Sequence, residues 1–146
     1  MAAANKLEHL DVWVNAKALV RRVYQITRSE TIRRDYAYCN QIRSAAISIM
    51  SNIAEGFGRS SDKEFARFLD IARGSGMETQ SLLHVGVDVG YLEQATFHEL
   101  HMASDHIIAQ ITSLARHLRR DTGKRGGTIL RFLGFVSGLA TKVFSP

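Results

Sequence analysis

Apolar residues recur at alternating intervals of three and four in four segments of this chain, and this spacing constrains the fold more than any other feature. It is typical of an α-helix with one buried face. Apolar and polar residues never alternate over a long window, and the only proline is Pro146. We therefore expect long helices and no sheet. The clearest segment is Glu93–Arg120, whose periodic positions are Phe97, Leu100, Ser104, Ile107, Ile111, Leu114 and Leu118.

Three further segments are predicted to be helical: Leu10–Arg28, Asp35–Glu55 and Ser61–Gly90. Asp35 lies where a carboxylate favours the start of a helix. Ser61 and Glu64 have the spacing of a capping box. Four long helices with short connections predict an all-α, antiparallel, up-down-up-down four-helix bundle over residues 1–120.

Four glycines carry specific expectations. Gly56 or Gly58 can take a positive φ and stop the second helix. Gly74 and Gly76 lie in the middle of the third helix, where each costs about 1 kcal/mol relative to alanine. We expect another backbone close to both of them, because a close approach is the usual reason for such a glycine.

Residues 121–146 differ from the rest of the chain. Its first part, with Gly123, Gly126 and Gly127 beside Lys124 and Arg125, is predicted to be a flexible linker. The stretch Ile129–Phe144 that follows is apolar apart from Arg131 and Lys142. Three interpretations remain open: this segment docks on the bundle or on a neighbouring subunit, it is poorly ordered, or it lies on a membrane surface. Its candidate apolar face consists of Ile129, Leu133, Val136, Ala140 and Val143.

The charge is distributed unevenly. The chain carries a net +5, divided as +4 over residues 1–60, −2 over residues 61–120 and +3 over residues 121–146. This pattern suits binding to a polyanion, and it equally suits subunits that pair basic faces with acidic ones. The candidate nucleic-acid-binding residues are Lys17, Arg21, Arg28, Arg33, Arg34 and Arg43.

No residue pattern points to catalysis, to a cofactor or to a small-molecule substrate. His98, His101 and Asp105 share a helix face, but no histidine has the glutamate three residues earlier that marks di-iron bundles, so we expect no metal. Cys39 is the only cysteine, so an internal disulfide is impossible and we expect a cytoplasmic protein. The Cys39 side chain is expected to be a small, partly buried apolar group. No apolar stretch reaches the length of about 20 residues that spans a bilayer. Apart from the open interpretation of residues 121–146, we expect no membrane partner.

One ordered set of residues stands out along the chain. It comprises Leu10–Trp13, Gln41–Ala46, Asn52–Arg59, Phe65, Phe68, Leu69, Ala72, Gly74, Ser75, Glu78 and Gly90–Leu92. Over about Leu7–Arg120, this set resembles the four-helix-bundle proteins encoded in intervening sequences of bacterial 23S ribosomal RNA genes. Family chains commonly end near the position of Arg120, so residues 121–146 lie outside the resemblance.

The resemblance implies a ring-like homopentamer with no established enzyme activity. It also implies a fold similar to the accessory protein of diversity-generating retroelements, which binds the reverse transcriptase and nucleic acid. We therefore expect a non-enzymatic oligomer that binds RNA or DNA electrostatically, or alternatively a protein scaffold that binds no nucleic acid. By resemblance, the structural or interface positions are Asn52, Glu55, Gly56, Gly58 and Arg59, with Arg43 in the same network.

Overall fold

The computed structural model describes residues 6–120, and this part of the chain is helical without a strand. The predicted all-α class is confirmed, and the predicted helix ends agree to within a few residues. The predictions for residues 121–146 fall outside the described residues. A short 3-10 helix, Leu7–His9, precedes four α-helices: α1 (Asp11–Thr27), α2 (Tyr36–Phe57), α3 (Asp62–Asp88) and α4 (Gln94–Arg120).

The four helices form an antiparallel bundle in which each helix packs on the next one and α1 packs on α4. Two polar contacts fix the direction of α1 against α4. Asn15 Nδ2 donates to Gln110 Oε1 at 3.0 Å, and Arg22 Nε donates to Glu99 Oε1 at 2.8 Å. Because the residue order rises in α1 as it falls in α4, these helices are antiparallel, and the predicted up-down-up-down topology is confirmed.

The core lies along the common axis of the bundle. The periodic positions predicted in α4 are buried as expected, apart from Phe97, which is partly buried against the core. Each fully buried Leu or Ile side chain contributes about 1.5–3 kcal/mol relative to an exposed one. Burial of the helix stripes therefore holds the bundle together. The largest fully buried side chains include Leu19, Ile42, Ile49, Ile53, Leu69, Leu83, Leu100, Ile107, Ile111 and Leu114.

Both predicted helix starts are confirmed. The Asp35 carboxylate accepts a hydrogen bond from the Tyr38 backbone N–H at 3.0 Å, and Ser61 Oγ accepts one from the Glu64 backbone N–H at 3.2 Å. The Tyr91 hydroxyl also donates to Asp35 at 2.7 Å, which ties the start of α2 to the α3–α4 connection. The Tyr38 N–H and then the Tyr91 hydroxyl lower the pKa of Asp35, because both stabilise its ionised form.

The expectation that Gly56 or Gly58 takes a positive φ was wrong. Gly58 has φ −76°, Gly56 lies inside the last turn of α2, and Gly90 is the one glycine of residues 6–120 with a positive φ, 78°. Gly56 is required for a different reason, which is the close approach of α3. A Cβ at Gly56 would lie 2.7 Å from Phe65 Cδ2 and 2.8 Å from Phe68 Cβ.

The two glycines in the middle of α3 differ from each other. A Cβ at Gly76 would lie 2.8 Å from Ile108 Cγ1 on α4, so this glycine does meet a close neighbour, which is a side chain rather than a backbone. The same expectation was wrong for Gly74. That residue is exposed, and a Cβ there would meet nothing within 4 Å.

Candidate nucleic-acid interface

Three of the predicted cations form a straight line on the exposed side of α1. Lys17, Arg21 and Arg28 are separated by four and seven residues, so they stand above one another over about 16 Å of helix. All three side chains are exposed, and none forms an ion pair with a carboxylate of residues 6–120. Lys17 Nζ lies 5.3 Å from the Trp13 ring centroid, which holds the ammonium close to the helix surface.

Two further cations follow in the connection between α1 and α2. Arg33 pairs with Glu30 at 2.7 Å, and both side chains are largely exposed. Such exposed pairs contribute about 0–1 kcal/mol, so a phosphate can compete with Glu30 for this guanidinium. Arg34 is exposed and has no ion pair within the described range. We call Lys17, Arg21, Arg28, Arg33 and Arg34 together the basic edge.

Arg43 has a different environment from the basic edge. Its Nε donates to Thr27 Oγ1 at 2.8 Å and its Nη2 donates to the Thr27 carbonyl at 3.4 Å. Its guanidinium also lies 4.7 Å from the Tyr24 ring centroid. Thr27 is the last residue of α1, where a carbonyl has no partner within the helix. Arg43 therefore joins α2 to the end of α1, and we do not count it among the cations available to a phosphate.

Tyr24 is a feature of this surface that the pattern of charges does not reveal. Its half-buried ring supports Arg43 from α2 and also Arg28, whose guanidinium carbon lies 5.9 Å from the ring centroid. The sequence does contain part of this signal, because Tyr24 and Arg28 are four residues apart and so lie one turn apart on one face. The contact with Arg43 comes from another helix and carries no local signal.

Arg21 and its neighbour Arg22 differ in whether their charge is free to bind a phosphate. Arg22 lies next in the sequence but about 100° around the helix, where it donates two hydrogen bonds to the Glu99 carboxylate at 2.8 and 2.9 Å. The bonded guanidinium lowers the pKa of Glu99, and the carboxylate raises the pKa of Arg22. The charge of Arg22 is therefore balanced within the bundle, whereas Arg21 faces solvent.

The polar residues near the end of α2 join α2 to α3. Asn52 Nδ2 donates to the Ser48 carbonyl at 2.8 Å and lies 3.0 Å from Ser48 Oγ. The Ser48 hydroxyl in turn shares a hydrogen bond of 2.7 Å with the Ser75 hydroxyl on α3. Asn52 thus orients a short polar bridge beside the core.

Glu55 and Arg59 form an exposed ion pair of 2.7 Å, one turn apart, and the Arg59 guanidinium lies 4.8 Å from the Phe68 ring centroid. None of the contacts described for this segment involves Arg43. Within one chain, the structure therefore separates Arg43 from Asn52, Glu55 and Arg59.

Within residues 6–120, no group of three or more His, Cys, Asp or Glu side chains is arranged to hold a metal ion. His101 Nδ1 lies 3.3 Å from the Asp105 carboxylate, so two of the three residues predicted to share this face of α4 contact each other. In the same range, no helix is both long enough and apolar enough to cross a membrane.

The fold and this surface define a class: small all-helical proteins built on one antiparallel four-helix bundle with a basic edge. The family model described as 23S rRNA-intervening sequence protein matches residues 8–113, and the chain belongs to that family. The chain matches no curated protein sequence.

A similar solved structure is that of a protein of unknown function from the S23 ribosomal protein family of Bacteroides thetaiotaomicron. The TM-score is 0.66 at 21% sequence identity, and the match covers 72% of this chain and 98% of that one. This likeness supports the fold.

Proposed function

We propose that this protein is a non-enzymatic homo-oligomer that binds RNA or DNA electrostatically through the basic edge. Four of the five cations of the basic edge have no ion pair with a carboxylate of residues 6–120, and this observation carries the proposal. A pentamer is the assembly that the family resemblance implies. A ring of such bundles would repeat the basic edge once in every subunit.

The spacing of these cations suits a polyanion. The α1 part of the basic edge is about 16 Å long, while successive phosphates on one strand of duplex DNA are spaced about 3.4 Å apart along the axis. Lys17, Arg21 and Arg28 can therefore contact phosphates of one strand over roughly five nucleotides. Contacts of this kind are sequence-independent, because phosphates carry no base information.

The resemblance also suggests what such binding is for. A bundle that holds nucleic acid without changing it can act as an accessory to a nucleic-acid enzyme such as a reverse transcriptase.

The test is a salt titration of binding to a short labelled DNA duplex and to an RNA duplex of the same length, followed by fluorescence anisotropy. If four cations each displace a counterion, the affinity for DNA falls roughly 150-fold between 50 and 200 mM salt. Changing both Arg21→Ala and Arg28→Ala removes two of the contacts, and the fall is then about 12-fold. Light scattering on the same samples reports the mass of the oligomer.

A matched control removes the same charge elsewhere. Arg73 on α3 and Arg116 on α4 are exposed and form no ion pair with a carboxylate of residues 6–120, so the double change Arg73→Ala, Arg116→Ala leaves the basic edge intact. We expect it to keep the wild-type salt dependence. If the two double variants lose the same affinity for the duplex, net charge and not the basic edge determines binding, and the proposal is wrong. Binding that is absent, or that does not depend on salt, would also refute it.

A protein scaffold without nucleic acid is the second candidate. Exposed apolar side chains favour it, because Tyr36 is 75% and Met102 is 53% accessible in the single chain. In this case, charge reversal by Arg21→Glu would dissociate the oligomer through loss of pairing with acidic faces. If the Arg21→Glu oligomer keeps its mass and the protein binds neither duplex, apolar contacts and not charge pairing hold the subunits together.

A further inference from the structure

Tyr36 is the most exposed large apolar side chain of residues 6–120, with 75% of its surface accessible. It is the first residue of α2 and follows Arg34 by two positions, so the two Cα atoms are within about 7 Å of each other. Within residues 6–120, the Tyr36 side chain forms no hydrogen bond and contacts no cation or second ring. The ring is therefore open to a planar ligand.

Tyr36 lies at the basic edge. Tyr36 and Arg43 are seven residues apart, which places them within about 20° of one line along α2. Arg43 reaches α1 through Thr27 at 2.8 Å and through the Tyr24 ring, so this line is on the side of α2 beside α1. The basic edge runs along α1 and continues to Arg34. The Tyr36 ring thus stands where the basic edge meets α2.

Two other aromatic rings at this edge differ from Tyr36, because cations already lie over them. Lys17 Nζ is 5.3 Å from the Trp13 ring centroid, and the Arg28 guanidinium carbon is 5.9 Å from that of Tyr24. In each pair the cation follows the ring by four residues, one turn of α1. These two rings are partly buried and hold a cation in place, whereas Tyr36 presents an unoccupied ring.

The charge around Tyr36 favours an anionic ligand. Residues 28–36 contain three arginines and two carboxylates. Both carboxylates have partners, since Glu30 pairs with Arg33 at 2.7 Å and Asp35 accepts hydrogen bonds from a backbone N–H and a tyrosine hydroxyl. The other two arginines have no ion pair with a carboxylate of residues 6–120. An open ring beside such guanidinium groups suits a ligand with a planar apolar face and a negative charge, as in a nucleotide whose base is exposed.

We propose that the nucleic acid bound at the basic edge is single-stranded beside Tyr36, and that one of its bases stacks on the Tyr36 ring. This inference rests on the proposed function and adds the class of nucleic acid. In a duplex both faces of a base are covered by its neighbours, so an unpaired and unstacked base is needed to reach the ring. The cations of the basic edge hold the phosphates that precede or follow this nucleotide. Every base has a face that can stack, so the site has little sequence preference.

Fluorescence anisotropy with two labelled single strands of equal length tests this proposal. One strand is oligo(dT), and the other has the same sugar-phosphate backbone without bases. In the wild type we expect oligo(dT) to bind at least about fivefold more tightly, which is the lower end of what one stacked base contributes. Tyr36→Ala should bind the two strands equally, while Tyr36→Phe should keep the difference because stacking needs the ring and not the hydroxyl. The salt dependence of Tyr36→Ala should remain that of the wild type, because no ionic contact is lost.

Met102→Ala is the matched control, because Met102 is also an exposed apolar side chain but lies on α4. It should leave both affinities unchanged. Salt-dependent binding with equal affinities for the two strands in the wild type would overturn base stacking and leave the proposed function intact, as would a preference for oligo(dT) that survives Tyr36→Ala. If neither strand and neither duplex binds, both proposals are wrong. A lower oligomer mass for Tyr36→Ala in light scattering would assign the ring to a subunit contact and overturn its role in stacking.

Discussion

Gly56→Ala and Gly58→Ala should have opposite effects on stability, although the two glycines are separated by one residue. A Cβ at Gly56 would lie 2.8 Å from Phe68 Cβ, whereas ordinary carbon contacts are about 3.5–4.0 Å. Phe68 Cβ is fixed by the α3 backbone and cannot rotate away. The start of α3 must therefore move from α2 by close to 1 Å, or Phe65 and Phe68 must shift together.

Forcing such a methyl group into a packed site typically costs about 1–3 kcal/mol. Because a Cβ at Gly56 would meet two atoms closer than 3.0 Å, the upper part of this range, about 2–3 kcal/mol, applies. Alanine recovers up to about 1 kcal/mol of helix propensity, so the net loss for Gly56→Ala should be about 1–2 kcal/mol. At Gly58 the nearest atoms to a Cβ are backbone oxygens at 3.6 and 3.7 Å, and φ is −76°. Gly58→Ala should therefore be neutral or stabilising by about 0.4–1 kcal/mol, through the lower entropy of the unfolded chain.

Urea unfolding followed by circular dichroism at 222 nm measures both changes against the wild type. For a chain of this size, a loss of 1 kcal/mol corresponds to about 3–4 °C in Tm, which provides a second readout. If the two variants lose similar stability, the glycines serve a shared turn conformation and the close approach of α3 is not what selects Gly56. If Gly56→Ala is as stable as the wild type, the reasoning from the Phe65 and Phe68 contacts is refuted.

Two further predictions concern polar contacts between helices. Arg43→Ala should lower the free energy of unfolding by about 1–2 kcal/mol, because the hydroxyl and carbonyl of Thr27 lose a charged donor, while the affinity for a DNA duplex should stay unchanged; a loss of affinity in folded protein would return Arg43 to the basic edge. Glu99→Gln should destabilise the protein by about 0.5–1 kcal/mol at pH 7 through its partner Arg22. The pKa of Glu99 is lowered by folding, so its contribution is present above the ordinary value of about 4.3 and disappears as the pH falls through the folded value. Urea titrations of wild type and variant should therefore converge in acid, and a gap that stays constant with pH would contradict the role of this ion pair.

The sequence alone was sufficient for the helices and their order, because the signals involved are local. The spacing of Leu100, Ile107 and Ile111 defines a buried face, and the capping groups of Asp35 and Ser61 act within three residues. Short connections then leave an antiparallel bundle as the arrangement that buries every stripe. The sequence likewise predicts that Lys17 and Arg21 share an exposed face, because they are four residues apart.

The tertiary structure decided the role of each residue that meets another helix. Arg43 resembled the other cations in the sequence, but contact with Thr27 and Tyr24 makes it a link between α1 and α2. Gly56 resembled a turn residue, but it is required by the packing of Phe68. In both cases the contacting residue lies on another helix, so no local sequence pattern reveals the contact. Helical periodicity determines which face a residue occupies, and only the packing of one helix on another determines what that face touches.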